Sequence, residues 1–281
     1  MDPVGVSAEF LTRWNVRFDD LVAFAAPHPS ETLLLTGSIP QGLGSPLSDI
    51  DLLLVTDSRV NRGLVLREPD FENMVGDVNG HEVHIECWRL ADLERLSARL
   101  KDSLARMRPG GPLECADQPS RSQLKLLHRI RTGAPLANRE NVALWWERLS
   151  LDDLPEYMTC HGLAEFAALR EDAHAQAVHG DIESAVFMLR LAISSLAGAL
   201  LASIGETNTY GKWRSPLLER HRQTLGDGLV TNMLRYLFAD RSFNRTTLSS
   251  GLVFADRVAS DVLTRWPRLA VWWAANGAPA S

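Results

Sequence analysis

Two aspartates stand one residue apart inside an apolar run of this chain. Residues 33–55 read LLLTGSIPQGLGSPLSDIDLLLV, so Asp49 and Asp51 interrupt a segment that otherwise has the composition of a buried strand. On a strand, residues i and i+2 point to the same face, which predicts that the two carboxylates lie side by side. Two buried like charges need a cation between them, and an arginine or a divalent metal ion such as Mg²⁺ meets that need.

A glycine–serine pair precedes the two aspartates. Gly37 and Ser38 follow a short apolar segment, and the backbone N–H groups of such a turn, together with the serine hydroxyl, suit a phosphate group. Ser48, directly before Asp49, is a further candidate for a nucleotide contact. A phosphate-binding turn beside metal-binding carboxylates predicts phosphoryl or nucleotidyl transfer. The plainer alternative, a loop whose aspartates only cap local structure, leaves the Gly-Ser turn without a role.

The segment TGSIPQGLGSPLSDIDLLL, residues 36–54, resembles the signature of the DNA polymerase β-like nucleotidyltransferase superfamily. That signature consists of an apolar residue, Gly, Ser, a spacer and then Asp, apolar, Asp, apolar, and here ten residues separate Ser38 from Asp49. The resemblance implies a small mixed α/β catalytic domain. It also implies two Mg²⁺ ions and ATP or another NTP as substrate.

The family uses a third carboxylate on a neighbouring strand. Residues 81–88, HEVHIECW, alternate apolar and polar side chains and therefore predict a strand whose polar face carries both Glu82 and Glu86. The sequence leaves the choice between them open, with a preference for Glu86. By the resemblance, Asp49, Asp51 and this glutamate would hold the metal, and the glutamate would also take the proton of the acceptor hydroxyl.

Strand and helix patterns surround these residues. Strands are predicted at 32–35, 50–55 and 81–88, and helices at 8–26 and 90–107. The RPGGP motif at residues 108–112 breaks the pattern and predicts a domain boundary, with a catalytic domain at 1–112 and a helical domain at 117–281. Beyond it, helical periodicity covers 138–149, 156–178, 181–204, 228–239 and 244–265. The predicted fold class is α+β: a mixed α/β domain followed by an all-α domain.

The helical half resembles that of the streptomycin-type aminoglycoside nucleotidyltransferases, in which an Arg, a Lys and a Tyr contact the nucleotide. Arg190, Lys212 and Tyr236 occur in that order here. The resemblance implies that they contact the NTP. A surface cation or a packed tyrosine is the alternative for each.

Charge and composition limit the classes of molecule that the protein is expected to bind. The 281 residues carry a formal net charge of −6 and show no basic stripe, so no long nucleic acid is expected. No membrane span is expected, and three cysteines without metal or redox spacing favour the cytoplasm.

The favoured function is transfer of a nucleoside monophosphate to a hydroxyl of a small molecule such as an aminoglycoside. Alternatives are modification of a tRNA end or a protein side chain, as in toxin–antitoxin systems, and a non-catalytic nucleotide-binding module. The oligomeric state stays open.

Overall fold

The computed structural model describes residues 3–57, 65–67, 72–111, 118–240 and 242–276. Within them a mixed sheet region is followed by a helical C-terminal region, which confirms the predicted α+β class. The strands are β1 (Thr32–Thr36), β2 (Ile50–Thr56), β3 (Val65–Arg67), β4 (Glu72–Val78), β5 (His81–Arg89) and β6 (Ala134–Ala137). The helices are α1 (Pro3–Thr12), α2 (Phe18–Ala25), α3 (Leu90–Met107), α4 (Arg121–Thr132), α5 (Arg139–Arg148), α6 (Leu154–Val178), α7 (Ile182–Ser203), α8 (Arg214–Arg220), α9 (Arg222–Leu225), α10 (Asp227–Leu234), α11 (Arg245–Arg265) and α12 (Arg268–Asn276).

The six described strands form one sheet in the order β3-β4-β5-β2-β1-β6. β2 and β5 run parallel, and the other neighbouring pairs run antiparallel. In the parallel pair, Asp51 lies opposite His84 and Leu53 lies opposite Glu86. Asp51 and Glu86 therefore belong to adjacent strands and to the same face of the sheet.

The opposite face of the sheet forms an apolar core. Leu33 and Leu35 of β1, Leu52 of β2 and Ile85 of β5 are at most 1% exposed, and Leu21 of α2 packs into the same cluster. Alternation along each strand separates these side chains from the face that carries the carboxylates. Burial of the apolar face thus fixes the register that places Asp51 and Glu86.

Several predicted elements differ from those observed. The helix predicted at 8–26 is two helices, because Asn15 takes φ +55° and breaks the helical path between α1 and α2. The prediction that residues beyond 117 are nearly all helical is wrong at β6, whose short segment pairs with β1. β3 and β4 were not predicted either. Residues 235–239 form a π-helical turn after α10 instead of a continued α-helix.

The chain divides into two compact units. The first contains residues up to Arg99 together with Pro119–Asp152, and the second contains Leu100–Gln118 and the residues from Asp153 onward. Because β6 pairs with β1, the segment 119–152 groups with the sheet. The domain boundary predicted at the RPGGP motif, residues 108–112, stays a prediction, and residues 112–117 lie outside the described part of the chain.

α6 and α7 form the centre of the second unit. Among the described helices, α7 alone is long and apolar enough to cross a membrane. However, 67% of its most apolar window is buried inside the protein, and buried core helices commonly meet the same length and composition criteria. This feature is therefore weak evidence for a membrane span.

Candidate active site

The turn after β1 is fixed by its own hydrogen bonds. The Gln41 side chain donates to the Gly37 carbonyl at 2.7 Å, and the backbone N–H of Leu43 donates to the Ser38 carbonyl at 2.9 Å. Ile39 is fully buried and packs into the apolar core. These contacts hold the turn as a rigid connection between β1 and the loop that leads to β2.

Gly37 brings this turn directly against Asp51. Its φ of +77° lies in the left-handed region, and a Cβ atom built on it would lie 2.1 Å from Asp51 Oδ2 and 2.9 Å from Asp51 Cγ. A side chain at this position would therefore meet both backbone strain and a steric clash. Glycine allows the turn and the carboxylate to touch, which brings together the two parts of the predicted motif.

An arginine from α4 joins Asp51 to Glu86. Arg129 Nη2 lies 2.8 Å from Asp51 Oδ1, and Nη1 donates to Glu86 Oε1. Arg129 is only 3% exposed. Burial alone would lower the pKa of Arg129, but the attraction of the two carboxylates outweighs it and raises the pKa above its ordinary value. The guanidinium therefore stays charged and is the cation that the paired carboxylates require.

A capping box and buried side chains fix the position of α4, and with it the position of Arg129. The helix begins with a capping box in which Ser120 Oγ accepts from the Gln123 backbone N–H at 3.3 Å and the Ser120 backbone N–H donates to the Gln123 side chain at 2.9 Å. Leu127 and Ile130 are buried beside Arg129. His128 is buried as well, and burial, with help from the nearby arginines, lowers its pKa to about 3.

Asp49 occupies a different environment from Asp51. It is exposed and lies one residue before β2 begins, so only Asp51 stands on the strand itself. Strand pairing begins at Ile50, where the loop backbone first meets β5. Within the described residues, neither the Asp49 carboxylate nor the Ser38 hydroxyl has a hydrogen-bond partner. The Ser48 hydroxyl accepts from the Ser45 backbone N–H at 2.8 Å and thus closes its own short turn.

The two glutamates of β5 also differ. The Glu86 side chain is 18% exposed and contacts Arg129, whereas the Glu82 side chain is 64% exposed and lies 2.5 Å from His84 Nε2. The structure therefore brings Glu86, and not Glu82, to Asp51 through a shared arginine.

Arg190, Lys212 and Tyr236, the three candidates from the helical half, contact different residues. Arg190 donates to the Asp240 carbonyl and stacks 4.4 Å from the centre of the Phe243 ring. Tyr236 is buried, and its hydroxyl donates to Ser250 at 3.2 Å. Lys212 is exposed beside the Trp213 ring. Among the described residues, no hydrogen bond joins any two of the three.

The carboxylates at the start of β2 are the oxygen donors available to a hard divalent cation. Arg129 engages Asp51 Oδ1 and Glu86 Oε1, whereas Asp51 Oδ2 faces Gly37, and the Asp49 carboxylate is exposed. Mg²⁺ is commonly held by one or two carboxylates together with phosphate oxygens, and Asp49 and Asp51 supply that set beside the turn. No cluster of three or more His, Cys, Asp or Glu side chains in metal-binding arrangement occurs in the described residues.

Arg129 is the functional candidate that sequence reasoning missed. It lies 43 residues after Glu86 and 78 after Asp51, so the contact is purely tertiary. A charged residue within the buried stripe of α4 is the available signal, because such a residue requires a partner of opposite charge.

No family model matches the chain, and no curated protein is significantly similar to it. Among solved structures, the crystal structure of a nucleotidyltransferase-like protein from Exiguobacterium sibiricum 255-15 is similar. The match covers 90% of this chain and 75% of that chain, with 12% sequence identity and a TM-score of 0.47. A likeness at this level carries no functional argument, so the function must be inferred from the residues of this chain.

Proposed function

We propose that the chain is a magnesium-dependent nucleotidyltransferase that moves a nucleoside monophosphate, with ATP as the expected donor, to a hydroxyl group of a small molecule. The observation that carries this proposal is the meeting of three elements at Asp51. The Gly37 turn contacts one oxygen of its carboxylate, and Arg129 links the other oxygen to Glu86. The proposed phosphate-binding turn and the strands that carry Asp51 and Glu86 thus meet at the Asp51 carboxylate.

Asp49 and Asp51 are the residues proposed to hold Mg²⁺, whereas Glu86, whose carboxylate contacts Arg129, is proposed as the base. When bound, the metal would neutralise charge on the triphosphate and activate the attacking oxygen. Asp49 is available for this role because it is exposed and, within the described residues, forms no ion pair.

The side chains of the site have separate proposed tasks. The turn at Gly37 and Ser38 would bind phosphate oxygens through N–H groups and a hydroxyl. Glu86 would accept the proton of the acceptor hydroxyl while the acceptor oxygen bonds to the α-phosphorus and the bond to the β-phosphate oxygen breaks, releasing pyrophosphate. Arg129 would hold Asp51 and Glu86 at a fixed separation.

The helical unit is proposed to contribute less to nucleotide binding than the resemblance implies. Arg190 and Tyr236 already use polar atoms on Asp240 and Ser250 of the same unit. Lys212 is exposed and keeps its ammonium free of ion pairs within the described residues, so it is the cation of the three best suited to an incoming phosphate.

Pyrophosphate release measured with each of the four NTPs and an acceptor panel tests the proposal. The panel contains an aminoglycoside, a sugar phosphate, a nucleoside and tRNA. Wild-type protein should release pyrophosphate only with Mg²⁺ present, and Asp51→Asn should abolish the release. Asp57→Asn is the matched control, because Asp57 lies exposed at the other end of β2. Equal activity in the two variants would refute the metal-site assignment.

A further inference from the structure

A cavity of about 580 Å³ lies in the first unit, between the beginning of α3 and the beginning of α4. Trp88 of β5 is one of its lining residues, and three arginines, Arg89, Arg95 and Arg99, contribute to the wall. Asp92, Arg95 and Arg99 are spaced by three and four residues, so they share one face of α3.

The charges of the lining are unbalanced. Three arginines face a single acidic residue, Asp92, so the lining carries a formal excess of positive charge. Arg89 Nε donates to Asp92 at 2.7 Å, Arg95 also pairs with Asp92, and Arg99 donates to Gln123 Oε1 at 2.7 Å. These contacts restrain the guanidinium groups before any ligand arrives, which reduces the entropy lost on binding.

Asp92 is suited to this restraining task. Burial would raise the pKa of its carboxyl, but hydrogen bonds from Arg89 and Arg95 outweigh burial and leave the pKa below its ordinary value. The carboxylate therefore stays ionised at neutral pH and keeps both guanidinium groups oriented.

The cavity begins close to the proposed catalytic carboxylate. Trp88 follows Glu86 by two residues on the same face of β5, which is about 7 Å along a strand. α4 gives a second estimate, because Gln123 lines the cavity and Arg129 contacts Glu86, and six residues of helix span about 9 Å. A ligand that reaches from the cavity to Glu86 is therefore of small-molecule size.

We propose that this cavity binds a phosphate group of the acceptor, so that the acceptor is a phosphorylated small molecule whose free hydroxyl lies at Glu86. The inference rests on the proposed nucleotidyl transfer and names its substrate class. Arginine forks match phosphate oxygens in a bidentate manner, and a phosphate dianion balances the excess charge of the lining. The volume lies within the range of small-molecule pockets.

The charges argue against a polycationic acceptor such as an aminoglycoside. Its ammonium groups would be repelled by the three arginines that line the cavity. The acidic residues at the start of α6 do not offer an alternative, because Glu156 is fully buried between Arg108 and Arg268, at 2.7 Å and 2.9 Å, and Asp153 pairs with Arg108. Their negative charge is already neutralised inside the second unit.

Isothermal titration calorimetry with ribose 5-phosphate as the probe, in the absence of NTP, tests the site. Ribose 5-phosphate should bind, and unphosphorylated ribose should not. The double variant Arg95→Gln, Arg99→Gln should weaken the binding by at least about tenfold, since it removes two of the charge-assisted contacts to the phosphate. Arg106→Gln is the matched control, because Arg106 is an exposed arginine of the same helix and does not line the cavity. The Arg95 side chain is 73% exposed, so its substitution should leave thermal unfolding unchanged.

Four results are decisive. Equal affinity for ribose and ribose 5-phosphate would overturn the proposal, as would unchanged affinity in the double variant. Tenfold tighter binding of a short 5′-phosphorylated RNA than of ribose 5-phosphate would overturn the small-molecule assignment. Ribose 5-phosphate binding that depends on Arg95 and Arg99, but without any transfer from ATP, would refute the proposed reaction and leave the phosphate site standing.

Discussion

Gly37→Ala tests the contact on which the site depends. The substitution places a methyl group 2.1 Å from Asp51 Oδ2 and 2.9 Å from Asp51 Cγ. Because Arg129 holds the same carboxylate from its other side, the turn or β2 must move by about 1 Å to restore an ordinary contact. The left-handed φ of +77° adds about 1–2 kcal/mol of strain for a residue with a side chain.

Gly80→Ala separates the two effects. Gly80 has a similar φ of +84°, but a Cβ atom there would have no heavy atom within 4 Å. Gly80→Ala should therefore lose about 1–2 kcal/mol in the free energy of unfolding measured with urea, and Gly37→Ala should lose more, because its steric clash adds to the backbone strain. Only Gly37→Ala should also lose about 100-fold in kcat/KM for nucleotidyl transfer, the loss expected from a 1 Å displacement at a catalytic group. Equal kcat/KM in the two variants would show that the contact with Asp51 has no catalytic importance.

Three further predictions concern Arg129, Glu86 and His128. Arg129→Met should lower the free energy of unfolding in urea by about 3–5 kcal/mol, because it leaves two carboxylates without their shared cation. Substitution of the exposed Arg139 by Met should be near neutral, and similar losses in the two variants would refute the role of Arg129 as a bridge. Glu86→Gln should lower kcat by roughly two to four orders of magnitude with little change in NTP affinity, and Glu82→Gln should have little effect; the reverse pattern would identify Glu82 as the base. Because burial lowers the pKa of His128 to about 3, the unfolded state takes up a proton below about pH 6.5 and the folded state does not. Stability should therefore fall by about 2 kcal/mol from pH 7 to pH 5, and His128→Gln should remove that part of the slope; an unchanged slope would contradict the buried neutral imidazole.

Local sequence patterns were sufficient to predict the elements that carry Asp51 and Glu86. Continuous apolar runs predicted β1 and β2, and alternation of apolar and polar residues predicted β5, each to within one residue, and with them the strand positions of Asp51 and Glu86. The helix predicted at 90–107 coincides with α3. These elements follow from patterns of apolar residues that are visible in the local sequence.

Elements that depend on tertiary contacts were not predictable in this way. β4 contains Gly76, which a sequence pattern treats as a strand breaker, yet the absence of a side chain there admits the Phe24 ring, 2.4 Å from where a Cβ would lie. β6 is four residues long and contains Pro135, and β1 is its strand partner among the described residues. Arg129 reaches the site from a helix whose sequence gives no sign of which carboxylates it contacts.

Parallel incubations with ATP labelled at the α-phosphorus and ATP labelled at the γ-phosphorus test the central claim most directly. The acceptor is a phosphorylated sugar, Mg²⁺ is present, and the products are separated by mass and label. The proposed reaction predicts that α-label appears on the acceptor and γ-label appears in pyrophosphate, and that both signals vanish with Asp51→Asn. Transfer of γ-label to the acceptor, or α-label transfer that persists in a folded Asp51→Asn protein, would contradict nucleotidyl transfer at this site.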